Sequence, residues 1–425
     1  MSRANPHPSE ASPVSPGGAP AGAAPRHHLT ALWIGAAGIA PGFVTTLFVL
    51  AGPHLRGTFH LTYDRMGLLL SVAMVGQGAA SLVGGILLDA VAVAWVARAA
   101  LLTATAACLL AASAANWLAL AGAALLFGCS GGVLGIIPMV LFTEMYPADR
   151  TRTMTRWQFA VSVAAIAAPM GMGFLLEATT LRWGAAHGWR AILAGLAPIF
   201  LVLLATAPAR RLNRAAPLTA ARLGHVAAAL ASPGLAVALV LAMLHAAGDN
   251  TAYFWIVLMV KQRFRADAAA AGLLITGYSA AYAAGRALRG VVRWPWAPLP
   301  TIAAGSGAGA ALLVLATRAP TFGAALALYV AAGLLFSLNW PSLLGYAGDR
   351  FPQQLGVVLG TLWGVTGIAT LIVSSATGVV SRVTGNVSVG MLVPSACFLG
   401  LSALAALACR REATPPVEEN EAPAP

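Results

Sequence analysis

The sequence predicts an all-α membrane protein whose twelve transmembrane helices form two pseudo-symmetric six-helix bundles. Three observations lead there. Hydrophobic residues make up 59% of the 425-residue chain and charged residues only 9%, against roughly 25% charged in soluble domains. Apolar runs of about 20 residues, long enough to cross a hydrocarbon core as helices, recur along the whole length. The chain also repeats itself at one offset. Phe59 answers Phe264, Gly67-Leu-Leu-Leu-Ser71 answers Gly272-Leu-Leu-Ile-Thr276, Gly85 answers Gly290, and Glu144-Met-Tyr-Pro147 answers Asp349-Arg-Phe-Pro352 (264 − 59 and 349 − 144 both give 205).

Taken in order, residues 1–28 are rich in Pro, Ala, Ser and Gly and nearly uncharged, so they cannot bury enough apolar surface to order themselves. They read as a disordered tail rather than a signal peptide, because the first apolar run starts late and is long. The expected spans are 30–52, 66–88, 91–114, 117–142, 154–178 and 189–207, which place an N-terminal half at 29–208. A basic linker at 209–230 follows, with Arg210, Arg211, Arg214 and Arg222 and no acid. The second six spans are 233–258, 268–291, 299–317, 321–345, 354–380 and 387–409, giving a C-terminal half at 231–409. The tail at 410–425 turns to Pro and Glu and is expected to be disordered.

The formal charge of +12 does not point to nucleic acid, because the basic residues stand singly between apolar runs. Such scattering sets membrane topology. With both termini and the linker cytoplasmic, that side collects 16 of the 25 Lys and Arg residues. The positive-inside rule therefore predicts an inner (plasma) membrane protein with both termini in the cytoplasm. Cys108, Cys129, Cys397 and Cys409 lie in or at the end of apolar runs without metal-like spacing and read as packing residues. No cofactor or metal is called for, and a monomer is expected.

Polar groups inside the spans are sparse, and an ionisable one is by default a functional candidate. The strongest stretch is His245-Ala-Ala-Gly-Asp249-Asn250-Thr-Ala-Tyr253 in the seventh span. His245, Asp249 and Tyr253 follow i, i+4, i+8 and share one helical stripe. Asp249 reads as a proton-titrating carboxylate with His245 as partner, and Asn250 and Tyr253 as substrate hydrogen-bonders. The alternative is a fixed His–Asp pair tying the span to a neighbour. Gln77, Asn339, Trp340, Tyr278 and Tyr282 lie within other spans and supply the amides, hydroxyls and aromatic faces a sugar-like solute needs, although helix–helix bonds use the same groups. The glycines around Ser130, in Gly128-Cys-Ser-Gly-Gly132, read as close packing.

Two six-helix halves joined by a basic linker resemble the major facilitator superfamily. Gly84-Gly85-Ile-Leu-Leu-Asp89, with Arg98 nearby, is similar to that family's loop motif, with Ala90 standing where an Arg usually follows the Asp. Gly285-Arg286-Ala-Leu-Arg289-Gly290 occupies the equivalent place in the second half, and Glu144 and Asp349-Arg350 complete the set. The resemblance implies that Gly85, Asp89, Arg98, Glu144, Arg286, Arg289, Asp349 and Arg350 form a gate between the halves. Gly272-Leu-Leu, Asn339-Trp340-Pro341 and Gly356-Val-Val-Leu-Gly360 further resemble the fucose-permease type of sugar–proton symporter.

The resemblance implies a secondary transporter of a small organic solute, sugar-like or a polar metabolite, working by alternating access in the lipid bilayer, with protons as a candidate coupling ion. Ala168-Pro169-Met-Gly171-Met-Gly173 is a partial antiporter-like signature and keeps efflux of amphipathic compounds open. A non-transporting sensor or assembly protein on the same fold is the third reading. No nucleophile motif or phosphate loop supports an enzyme.

Overall fold

The computed structural model describes residues 24–90, 92–145, 150–207, 233–291, 295–350 and 355–413. Among these residues every regular element is a helix. The first half comprises α1 (Ala24–Leu50), α2 (Gly52–Thr58), α3 (Tyr63–Ala90), α4 (Val93–Ser113), α5 (Trp117–Met145), α6 (Arg150–Trp183) and α7 (Gly188–Ala205). The second comprises α8 (Pro233–Phe264), α9 (Ala268–Val291), α10 (Pro298–Arg318), α11 (Phe322–Phe336), α12 (Asn339–Arg350), α13 (Leu355–Thr384), α14 (Val387–Gly390) and α15 (Leu392–Ala413). Helices are what a chain in lipid must form, because each satisfies its own backbone groups where no water can. Eleven described segments are long and apolar enough to span a membrane. The expected span at 268–291 is fully helical as α9 but less apolar, because Thr276, Tyr278, Ser279 and Tyr282 interrupt it.

Two expected spans are broken. The span at 321–345 divides at Ser337–Leu338 into α11 and α12. Pro341 has no N–H for the carbonyl four residues back, and its ring crowds that carbonyl, so the helix yields at Ser337. The last span divides at Met391 for the same reason, because Pro394 has no N–H for the carbonyl of Gly390, four residues back.

The repeat persists in the backbone. His60 and Arg265, one residue past the paired Phe59 and Phe264, both take positive φ, at 50° and 56°. Non-glycine residues pay for that conformation, so two instances 205 positions apart (265 − 60) reflect one turn used twice. Each phenylalanine then packs on an aromatic at the start of a later helix, Phe59 on Trp189 at 6.1 Å and Phe264 on Phe322 at 6.2 Å.

The halves meet along two seams, α3 against α13 and α6 against α9. Small residues let the backbones touch. A Cβ on Gly67 would fall 2.5 Å from the Ser374 carbonyl oxygen, one on Gly367 2.5 Å from that of Met74, and one on Gly378 2.5 Å from that of Tyr63. On the other seam Gly272 and Gly173 face each other, with Cβ positions 2.6 Å from the Pro169 oxygen and 2.8 Å from the Ala268 oxygen. The antiporter-like stretch thus lies on a seam.

Candidate functional site

α8 crosses the second half with its polar stripe turned to α9. The Asp249 carboxylate accepts hydrogen bonds from the hydroxyls of Tyr278 and Tyr282, the latter at 3.3 Å. The Tyr282 oxygen also lies 3.4 Å from Nε2 of His245. His245 and Asp249 are therefore joined through Tyr282, on the neighbouring helix, rather than directly. The Arg286 guanidinium sits 4.7 Å above the Tyr282 ring, where the ring face attracts the cation. Tyr278 stacks on Tyr329 at 4.6 Å. His245 is held between Trp340, stacked at 5.9 Å, and Phe398, edge-on at 6.2 Å. Gly248 is what admits Phe398: a Cβ there would meet its ring at 3.0 Å.

In front of this cluster, between the halves, lies a cavity of about 390 Å³, within the range of small-molecule sites. The first half contributes Thr45, Thr46, Gln77 and Ser81 with apolar Ile39, Phe43, Met74 and Val161. The second contributes Asn250, Tyr253, Phe254 and Thr366. No Asp, Glu, Lys, Arg or His is among the lining residues. Asn250 is oriented by a 3.2 Å bond from its Nδ2 to Thr370, whose hydroxyl donates in turn to the Thr366 carbonyl at 2.9 Å. Gly42 and Gly135 face open space on the cavity wall, whereas Gly128 and Gly132 press α5 onto α3.

The structure thus sorts the expected site residues into two groups. Gln77, Asn250 and Tyr253 line the cavity. His245, Asp249, Tyr278, Tyr282 and Trp340 form the network behind it. Asn339 is 1% exposed at the head of α12 and lies outside the cavity lining. Thr45, Thr46, Ser81, Thr366 and Tyr329 were not anticipated. Pro41-Gly42 beside Thr45-Thr46 interrupts an apolar run and could have flagged the first pair; Tyr329 and Thr366 sit in otherwise featureless runs.

Four of the expected gate residues, Arg98, Arg286, Asp349 and Arg350, have described side chains. Arg98 donates to the Ala207 carbonyl at 3.3 Å within its own half, closing the end of α7. Arg286 belongs to the tyrosine network. Asp349 and Arg350 are exposed, and the Arg350 guanidinium lies 5.2 Å from the Tyr346 ring. The helices bearing Gly85, Asp89, Glu144 and Arg289 are described, but their side chains, like the linker from 208 to 232, lie outside the described residues. Among the described residues, polar contacts joining the halves occur at or beyond mid-bundle, on the side away from the chain termini. Asp64 pairs with Arg382 at 3.6 Å, Ser374 donates to the Gly67 carbonyl at 3.3 Å, Glu177 accepts from the Ala268 N–H at 3.2 Å, and Thr276 donates to the Ile166 carbonyl at 3.2 Å.

The sequence model of the Major Facilitator Superfamily matches residues 32–265. No curated protein matches by sequence. Among solved structures, a bacterial homolog of the human lysosomal transporter Spinster, in an inward-facing and unoccupied conformation, aligns with TM-score 0.73 at 14% identity, covering 91% of this chain and 97% of the other. A D-xylose–proton symporter aligns at 0.72 and 15% identity, covering 88% and 96%. A nucleoside transporter aligns at 0.73 and 13% identity, covering 90% and 99%. At these identities the likeness is one of fold.

Proposed function

The chain belongs to the Major Facilitator Superfamily, and from that membership we propose that it moves a small, uncharged, polar solute by alternating access between its halves. It is a multi-pass membrane protein with a transporter fold, not that of an enzyme. The observation that carries the solute class is the cavity wall, with hydroxyls and amides but no charged side chain. A charged solute would meet no counter-charge there and would lose its hydration without compensation. A sugar-like molecule would find hydroxyls and amides on both halves and the Tyr253 ring to lie against. The solute can therefore hold both halves while they rock about it, as alternating access requires.

We assign proton coupling to Asp249. Two phenols donate to its carboxylate, and a proton on it turns one of the two oxygens that tie α9 to α8 from acceptor into donor. Because α9 is itself a seam helix against α6, loosening that tie bears on how the halves meet. The reading has the protein in the inner membrane as a monomer, with termini, linker and the expected gate arginines on the cytoplasmic side.

Efflux of amphipathic compounds is the second reading, favoured by Ile39, Phe43, Met74, Val161 and Phe254 on the same wall. A thermal-shift screen of the purified protein against sugars, organic acids, amino acids and hydrophobic amines, at pH 5.5 and 7.5, separates the two. A ligand at 100 times its Kd adds about 2.7 kcal/mol to the folded state. Hits among sugars with a pH dependence that Asp249→Asn removes support the proposal. Hits confined to amines sink it in favour of efflux, and silence across the library favours a non-transporting member.

A further inference from the structure

Seven buried polar atoms of the second half have no hydrogen-bond partner among the described residues, and four of them concern α8, α10 and α12: Oδ1 and Nδ2 of Asn339, the Ser306 hydroxyl oxygen, and Nδ1 of His245. Their residues are 1%, 0% and 4% exposed respectively, and none lines the cavity between the halves. Asn339 and Ser306 lie at α10, and Trp340 and Phe398 connect that region to His245. A Cβ on Gly305 would lie 3.2 Å from Asn339 Oδ1 and 3.1 Å from the Leu335 carbonyl oxygen, while Gly309 faces Phe336 and Gly307 faces Ser402 of α15. With about 100° between successive helical residues, Ser306 looks between the α12 and α15 faces of α10. There Phe398 stacks on Phe336 at 3.7 Å and meets His245 at 6.2 Å.

The chemistry of these atoms selects their ligand. A bare cation would satisfy Asn339 Oδ1 and Ser306 but be repelled by the amide N–H groups. A hydroxylic ligand donates and accepts at once, which is what an amide beside a hydroxyl needs. With the Tyr282 proton directed to Asp249, His245 faces the Tyr282 oxygen with an Nε2–H. Its Nδ1 is then an acceptor awaiting a donor.

We propose that bound water occupies this interior and extends a proton route from Asp249 through Tyr282 and His245 to Asn339 and Ser306, separate from the solute cavity. The proposal rests on Asp249 as the coupling group. In the step that loads Asp249, which runs in reverse to release the proton, a proton carried on the bound water passes to His245 Nδ1. The Nε2 proton moves to the Tyr282 oxygen, and the Tyr282 hydroxyl proton moves to the Asp249 carboxylate. The water is left neutral, His245 is neutral as the other tautomer, and Asp249 is protonated. The charged and titratable groups facing His245 are Asp249 on its own helix and Tyr282 and Arg286 on α9, with Tyr278 and Tyr329 around Asp249. Because α10 begins and α12 ends on the side of the chain termini, the route leads there.

Two measurements on the full-length protein in detergent test this. X-ray radiolytic hydroxyl labelling modifies side chains beside bound water even when they are shielded from bulk solvent. Buried His245 and Phe398 are expected to react about fivefold faster than equally buried Trp255, and to lose that excess in Asn339→Leu. Reaction no faster than Trp255 overturns the proposal. Infrared spectroscopy after a pH jump follows the carboxyl band that Asp249→Asn removes. Asn339→Leu should slow its appearance about tenfold without moving its midpoint, with Ser306→Ala as the gentler variant should the first fail to fold. An unchanged rate in a folded variant overturns the relay while leaving coupling at Asp249 intact. Absence of any Asp249 band between pH 4 and 9 defeats the coupling reading, and the relay with it, whereas the labelling result still decides the water.

Discussion

Position 249 in the second half and position 44 in the first are equivalent in the repeat (249 − 44 = 205), yet one is Asp and the other Val. Val44 is fully buried among apolar neighbours. Asp249 is held by two phenols, with His245 and Arg286 one contact further away. The halves share turns, paired phenylalanines and seam glycines, so the duplication preserved scaffold and not chemistry. The first half supplies a neutral wall for a solute. The second supplies a wall and, behind it, the cluster of Asp249, His245 and the tyrosines. A carboxylate in such a setting depends on its partners more than on its position.

The largest effect should come from reversing that asymmetry. Val44→Asp places a carboxylate at a fully buried position, at a cost of roughly 2.5–3.5 kcal/mol, and should lower yield and melting temperature in detergent. Asp249→Asn should remain folded but lose roughly 100-fold or more of proton-driven uptake into proteoliposomes; retention of uptake would remove Asp249 from the mechanism. Next come the glycines. Gly67→Ala drives a methyl to 2.5 Å from the Ser374 oxygen and should cost about 1–3 kcal/mol. Gly42→Ala, in open space on the cavity wall, should barely change melting while weakening ligand binding.

Two arginines sharpen the comparison further. Arg190 donates to the carbonyls of Ala112 and Ala114, each at 2.8 Å, and of Ala186 at 3.1 Å. Arg263 does the matching task in the second half, donating to Ala319 at 2.8 Å and Arg318 at 3.2 Å. Each closes the end of its half's third spanning helix, but from different helices. Arg190 is half-buried and Arg263 exposed, so Arg190→Leu should lower the melting temperature more, by up to about 2 kcal/mol of stability. Equal losses would show that burial is irrelevant to these caps.

The smallest effect should be at His54 in the short helix α2. Burial holds its pKa below the ordinary value of 6.5, Lys261 adds to the depression, and Glu177 opposes it. The folded state therefore binds this proton less readily than the unfolded chain. Stability from His54 is intact above the ordinary value and declines as pH falls through it. His54→Gln should flatten the fall in melting temperature between pH 7.5 and 5.5; a steeper fall would contradict the sign.

The long apolar runs and the repeat made most of the fold readable, because lipid permits few alternatives to a helix. The His245–Asp249–Tyr253 stripe was readable because a carboxylate is conspicuous in such a run. Its partners were harder. Tyr278 and Tyr282 show a four-residue spacing in α9, but only packing reveals that they, and not His245, bind Asp249. Arg98 carried the look of a gate residue, and its bond to Ala207 depends on where α7 ends, which no local pattern encodes. Thr366 and Tyr329 are single polar groups in apolar stretches, where burial and lining are decided by helix rotation.

The division between α11 and α12 has a consequence for how the chain is made. Residues Phe322–Ala347 carry enough continuous apolar character to enter a membrane as one span of 26 residues, while α12 alone, at 12 residues, rises only about 18 Å. A broken helix facing lipid would leave backbone carbonyls near Ser337 without donors. The interruption is therefore tolerable only after α9 and α10 have closed around it, with Gly285 pressed to the Ser337 hydroxyl and Gly305 to the Leu335 carbonyl. The span should therefore insert first and acquire its break late. Assembly of the second half, rather than insertion, is then the stage at which lesions at Gly285 or Gly305 should divert the nascent protein to degradation.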